Sequence, residues 1–167
     1  MVKKYVFGTP IETDAVVKEI KETSWKDDIF QKEGNVFHYL LKPDEIVYGL
    51  GENVRGMNKR GWRYVSNCSD NPNHCEHTNS LYGAHNFIMM GDGVNETYGL
   101  FVDTPGTVTF DVGYTDIDRL IIAMENENYK IYLIEGQTYH DVVREFREMI
   151  GRSYIAPRWA FGYGQSR

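Results

Sequence analysis

The side chains best suited to chemistry gather in one polar stretch, Ser66–Ser80, which carries Cys68, Asp70, His74, Cys75, Glu76 and His77. Two thiols and two imidazoles first suggest a Cys₂His₂ metal centre. Structural zinc sites, however, pair their ligands about two to four residues apart within each arm. Here His74 and Cys75 are adjacent, and Cys68 stands seven residues before Cys75. Neither a metal nor any other cofactor is expected. A Cys68–Cys75 disulfide is equally unexpected in a reducing compartment, where thiols stay free. The carboxylates remain, because an ionised Asp or Glu accepts charge-assisted hydrogen bonds from ligand hydroxyls, the stronger class of such bonds. Taken alone, Asp70 reads equally well as an exposed residue closing an Asx-turn before Asn71-Pro72.

Two features upstream have competing readings. Glu52 follows Gly49-Leu50-Gly51, and a glutamate at a strand end beside a glycine turn reads as a backbone anchor rather than a catalytic acid. Arg55, Lys59, Arg60 and Arg63 cluster around Trp62. Nucleic-acid binding rests on a dense basic stripe, whereas these charges are spread along an acidic chain and read as braces of a domain interface.

A long polar loop needs rigid elements to hold it. From about residue 34 to residue 135 short runs rich in Val, Ile, Tyr, Phe and Thr alternate with Gly, Asn and Asp clusters, the pattern of β-strands and turns. In Thr107–Tyr114, Val108, Phe110, Val112 and Tyr114 share one face, as in a half-buried strand. Leu120–Met124 and Tyr129–Ile134, joined by Glu125-Asn126-Glu127-Asn128, read as a hairpin; so do His85–Met90 and Thr97–Asp103 around Gly91-Asp92-Gly93. The spacing predicts one helix over 139–150, with Thr138 as its N-cap, Asp141 in its first turn and Gly151 at its C-terminus. Asp14–Glu22 fits either a short helix or an extended arm. The whole implies an antiparallel sandwich or barrel.

Composition narrows the function classes. The chain has 167 residues, with 18 Lys+Arg against 24 Asp+Glu and a net charge of −6, which disfavours a nucleic-acid partner. With 41% hydrophobic and 14% aromatic residues it has the apolar material for a core. No run approaches the roughly 18 apolar residues of a membrane span, and the opening residues lack a secretion signal's apolar core. No membrane association is expected, and the location expected is cytoplasmic.

The end of the chain, Pro157-Arg158-Trp159-Ala160-Phe161-Gly162-Tyr163-Gly164-Gln165-Ser166-Arg167, resembles the stretch with which the catalytic barrel begins in glycoside hydrolase family 31, the α-glucosidase and α-xylosidase family. Tyr48-Gly49-Leu50-Gly51-Glu52 is similar to that family's Gly-Leu-Gly-Glu turn, and Ser80-Leu81-Tyr82-Gly83 to its Leu-Tyr-Gly segment. Tyr98-Gly99-Leu100-Phe101-Val102 resembles its Gly-hydrophobic-Phe strand, and Met149-Ile150-Gly151-Arg152 its lead-in to the barrel. Together these motifs cover about residues 45 to 167, in the family's order.

The resemblance implies an all-β fold: a mainly antiparallel, galactose-mutarotase-like β-sandwich with one C-terminal helix over residues 1–152. Residues 153–167 are then a linker and the first strand of a (β/α)₈ barrel that continues beyond the chain. It also implies a retaining α-glucosidase acting on α-linked glucose in oligosaccharides, with a catalytic aspartate pair in the barrel, so that this piece alone is inactive. The expected partners are an α-glucoside oligosaccharide and the protein's own barrel; a homo-oligomer is left open. Family members reach over the barrel with a sandwich loop whose aspartate meets a substrate hydroxyl, and the matching residue here is Asp70. Two alternatives stand beside this reading: a freestanding carbohydrate-binding sandwich without catalysis, and a mutarotase-like enzyme using a His and a carboxylate.

Overall fold

Alternating inward residues build two five-stranded antiparallel sheets that face one another. The computed structural model describes residues 1–164; Gln165, Ser166 and Arg167, part of the barrel-like motif, lie outside the described residues. The strands are β1 (Val2–Phe7), β2 (Gln31–Glu33), β3 (Val36–Leu40), β4 (Ile46–Gly51), β5 (Trp62–Ser66), β6 (Ala84–Gly91), β7 (Thr97–Asp103), β8 (Val108–Val112), β9 (Arg119–Met124) and β10 (Tyr129–Gly136). One sheet runs β1-β10-β7-β6-β4 and the other β2-β3-β9-β8-β5.

Between the sheets lies one apolar core. Val108, Phe110 and Val112 of β8, Leu120 and Ile122 of β9, and Tyr129 and Ile131 of β10 are all completely buried there. β8 ends at Val112 because the Asp111 carboxylate accepts the Tyr114 and Thr115 amides and turns the chain. Tyr114 therefore leaves the face it was expected to share, and is exposed.

β6 and β7 pair as the expected hairpin, with Gly91 opposite Thr97. The other expected hairpin does not form. β9 pairs with β3 and β8, whereas β10 pairs with β1 and β7. Glu125–Asn128 thus carries the chain from one sheet to the other. The run Ile131-Tyr132-Leu133-Ile134 gives the reason: it is apolar without alternation, and β10 is buried on both faces.

The outer face of β10 is covered by the helix α1 (Tyr139–Ile150), whose Thr138 and Asp141 form a reciprocal capping box. Val142 and Met149 of α1 pack with Tyr132 and Ile134, and the Phe146 ring stacks on Phe87 at 3.8 Å. Gly99 of β7 permits this approach, since a Cβ there would lie 2.5 Å from a Val142 methyl. The Asp14–Glu22 segment is an arm and not a helix. The Val17 and Lys18 amides donate to the Met149 carbonyl at the end of α1, while Val16 and Ile20 pack on the same cluster. Its donors thereby satisfy another element's orphan acceptor.

After Arg152 the expected barrel strand is not present among the described residues. Arg158–Phe161 forms a 3₁₀ turn instead. A single strand offers its backbone groups no partner, whereas the turn closes them locally: Ala160 N–H donates to Pro157 O at 2.9 Å and Gly162 N–H to Trp159 O at 3.1 Å. Tyr154, Ile155, Trp159, Phe161 and Tyr163 are left exposed. Among the described residues no helix is long and apolar enough to cross a membrane.

Candidate functional site

The site begins at the end of β4, where Gly49, Leu50 and Gly51 all have positive φ, at 121°, 69° and 72°. A Cβ on Gly49 would lie 2.2 Å from the Phe87 carbonyl oxygen, and one on Gly51 would lie 2.2 Å from that of Gly83. Only glycine fits either place. This tight turn delivers Glu52, whose amide donates to Gly83 O at 2.6 Å while its carboxylate accepts the Gly83 amide at 3.1 Å. Glu52 thus clamps the backbone of the Leu81-Tyr82-Gly83 segment, which re-enters the sheet as β6.

Arg55 and Lys59 of the basic cluster are buried, Arg60 is half-buried and Arg63 is exposed, yet each bonds to groups within the sandwich. Arg60 donates to the carbonyls of Lys42, Pro43, Glu45 and Ile117. Arg63 pairs with Asp111, directly opposite it across β5 and β8, at 2.9 Å. Burial pushes Asp111 up, but hydrogen bonds from Thr115, Arg63 and the Tyr114 amide outweigh it and hold the carboxyl below its usual 3.8. Lys59, buried, donates to Asn53 Oδ1 and Gly56 O, with its pKa lowered by desolvation and by neighbouring Arg55. Each basic residue therefore braces loops within the sandwich.

β5 ends at Ser66 and leads into the polar loop, whose residues 67–80 contain no helix or strand. Its residues enclose an open cavity of about 480 Å³ lined by Asn67, Ser69, Asn71, Asn73, His77 and Asn79 among others. These amides and hydroxyls offer the paired donors and acceptors that polyhydroxylated ligands need. Asparagine at 67, 71, 73 and 79 was the legible signal for this lining, and carboxylate-first reasoning passed over it.

Asp70 is exposed and does not line that cavity. It faces Tyr82 instead: partial desolvation and then the Asp70 carboxylate raise the Tyr82 phenol's pKa. The His74 ring meets Tyr82 edge-on at 5.7 Å, and His77 meets Trp62 at 6.2 Å. Cys68 and Cys75 are free, exposed thiols. The Thr78 hydroxyl, followed by backbone amides, holds Cys75 below the usual thiol value. Among the described residues no cluster of three His, Cys, Asp or Glu side chains is placed to hold a metal ion. The structure thus joins Tyr82 with Asp70 and His74, and Trp62 with His77.

Two facing antiparallel sheets, a helix packed on one of them and a long polar loop continuing from β5 are the architecture of an N-terminal sandwich domain found in a class of glycosyl hydrolases. The chain belongs to the glycosyl hydrolase 31 N-terminal galactose mutarotase-like domain family, matched over residues 8–111. It is 33% identical over 139 residues to an α-glucosidase of Saccharolobus solfataricus, covering 81% of this chain and 20% of that one. It is also 31% identical over 121 residues to the α-xylosidase XylQ of Lactiplantibacillus pentosus, covering 71% of this chain and 15% of the relative. The chain therefore spans a fifth or less of the length of these curated relatives. In fold it is similar to a Flavobacterium johnsoniae dextranase, with a TM-score of 0.68 at 24% identity over 83% of this chain and 17% of that one. It also resembles the cycloalternan-degrading enzyme of Trueperella pyogenes, with a TM-score of 0.72 at 22% identity over 83% of this chain and 22% of that one.

Proposed function

We propose that this sandwich is the N-terminal domain of a cytoplasmic, retaining α-glucosidase that removes terminal α-linked glucose from oligosaccharides. Residues 1–152 form the sandwich and residues 153–167 lead into the catalytic barrel. The observation that carries the reading is the Ser66–Ser80 loop: it stands clear of the apolar core, presents Asp70 to solvent beside Tyr82, and is lined by amides and hydroxyls. The relatives named α-glucosidases support glucose as the sugar, and the two free exposed thiols are in keeping with a reducing compartment.

Bond cleavage belongs to the barrel. Retention requires two carboxyl groups about 5 to 5.5 Å apart, one attacking the anomeric carbon and one protonating the leaving oxygen. This chain's residues bind and orient: Asp70 accepts a hydrogen bond from a substrate hydroxyl near the scissile bond, and the loop limits water at the subsite wall. The sandwich by itself turns over no substrate. The test is to follow maltose and isomaltose hydrolysis by the full-length enzyme with NMR. α-Glucose is expected as the first product; β-glucose first, or cleavage of α-xylosides but not α-glucosides, contradicts the reading.

A further inference from the structure

Beyond Ser66, the last residue of β5, the loop has no helix or strand, yet one buried cation ties it to the sandwich. Trp62 and Tyr64 lie two residues apart on β5 and so present their rings on one face. The Arg55 guanidinium lies over both, with its central carbon 4.4 Å from the Trp62 ring and 4.8 Å from the Tyr64 ring. From there its Nε donates to Glu76 O at 2.6 Å and an Nη donates to Arg63 O at 2.6 Å. One planar fork thus joins the far limb of the loop to the strand from which the loop departs.

Arg55 is 9% exposed, and among the described residues no carboxylate pairs with it or with neighbouring Lys59. Burying a guanidinium with no counter-charge is costly, so a gain in stability does not account for it. Two backbone carbonyls and two aromatic faces are its compensation, and both carbonyls belong to the loop and its supporting strand. The Trp62–His77 contact rests on the same platform.

We propose that Arg55 is the positioning residue that fixes the shape of the Ser66–Ser80 loop, and through it the placement of Asp70; the link to substrate rests on the proposed role of that loop. Lysine cannot replace it fully, since a single ammonium lacks the planar fork that reaches both carbonyls.

The test uses the full-length enzyme and its Arg55→Ala and Arg55→Lys variants. Amide hydrogen exchange across residues 74–78 is expected to rise about tenfold or more in Arg55→Ala, and by less in Arg55→Lys, with exchange in β8 and β9 unchanged. KM for maltose is expected to rise with kcat held, and to recover partly in Arg55→Lys. If Arg55→Ala does not fold, Arg55→Lys alone decides the matter. Exchange across 74–78 equal to wild type in the variants that fold overturns the inference. If exchange rises while KM stays fixed in both Arg55→Ala and Asp70→Ala, the positioning role stands and the subsite reading of the loop falls.

Discussion

The interior between the sheets and the Ser66–Ser80 loop are held together in opposite ways. In the interior, completely buried residues such as Phe110, Ile122 and Ile131 interlock from strands of both sheets, and every strand but β2 contributes to one core. The loop is held by a few directed contacts: the Ser69 amide to Leu81 O, Arg55 to Glu76 O, and the Cys75 amide to the Thr78 hydroxyl oxygen. Apolar burial is non-directional and accumulates with area. Loop shape, in contrast, depends on individual hydrogen bonds, each of which is locally decisive and globally minor.

Substitutions separate the two regions. The largest effect is expected in the interior: Phe110→Ala removes a completely buried ring and lowers stability by about 3 to 5 kcal/mol in urea unfolding. A result under half of that would show that the sheets close over the gap. An intermediate effect is expected at Asp111, which sits on the outer side of β8 yet is 5% exposed. Its folded pKa lies below its usual 3.8, so its contribution is present above that pH and is lost as pH falls through the lowered folded value. Asp111→Asn should therefore cost about 1 to 3 kcal/mol near neutrality, with the difference from wild type shrinking as the solution is acidified below 3.8 and through the lowered folded value. A difference that does not change with pH would contradict the role given to its hydrogen bonds.

The sequence alone revealed the fold wherever one face of a strand was apolar, as in Val108, Phe110 and Val112, and wherever a helix carried its own caps, as at Thr138 and Asp141. It misled where tertiary context overrode local pattern. Four polar residues between β9 and β10 suit a hairpin turn, but pairing is decided by which faces β10 must bury, and that strand belongs to the other sheet. β1 escaped notice because Lys3 and Lys4 dilute its alternation, as befits an edge strand guarded by charge. The loop was legible as polar and long, but its inner shape was not. Arg55 is distant from Glu76 in sequence and meets its carbonyl only through the β5 platform, and no periodicity encodes such a contact. The basic cluster was likewise visible in sequence, whereas the burial of Arg55 and Lys59 within it was not.

The smallest expected effect on stability coincides with the largest claim about function. Asp70 is exposed and outside the core, so Asp70→Ala should leave the unfolding transition of the full-length enzyme where it is in the wild type. The most direct measurement is steady-state hydrolysis of maltose and isomaltose by that variant, with unfolding followed in parallel. A fall in kcat/KM worth about 1 to 3 kcal/mol with unchanged stability is the predicted result. Wild-type kinetics in a folded Asp70→Ala enzyme would contradict the account and leave Asp70 as a turn residue of an exposed loop.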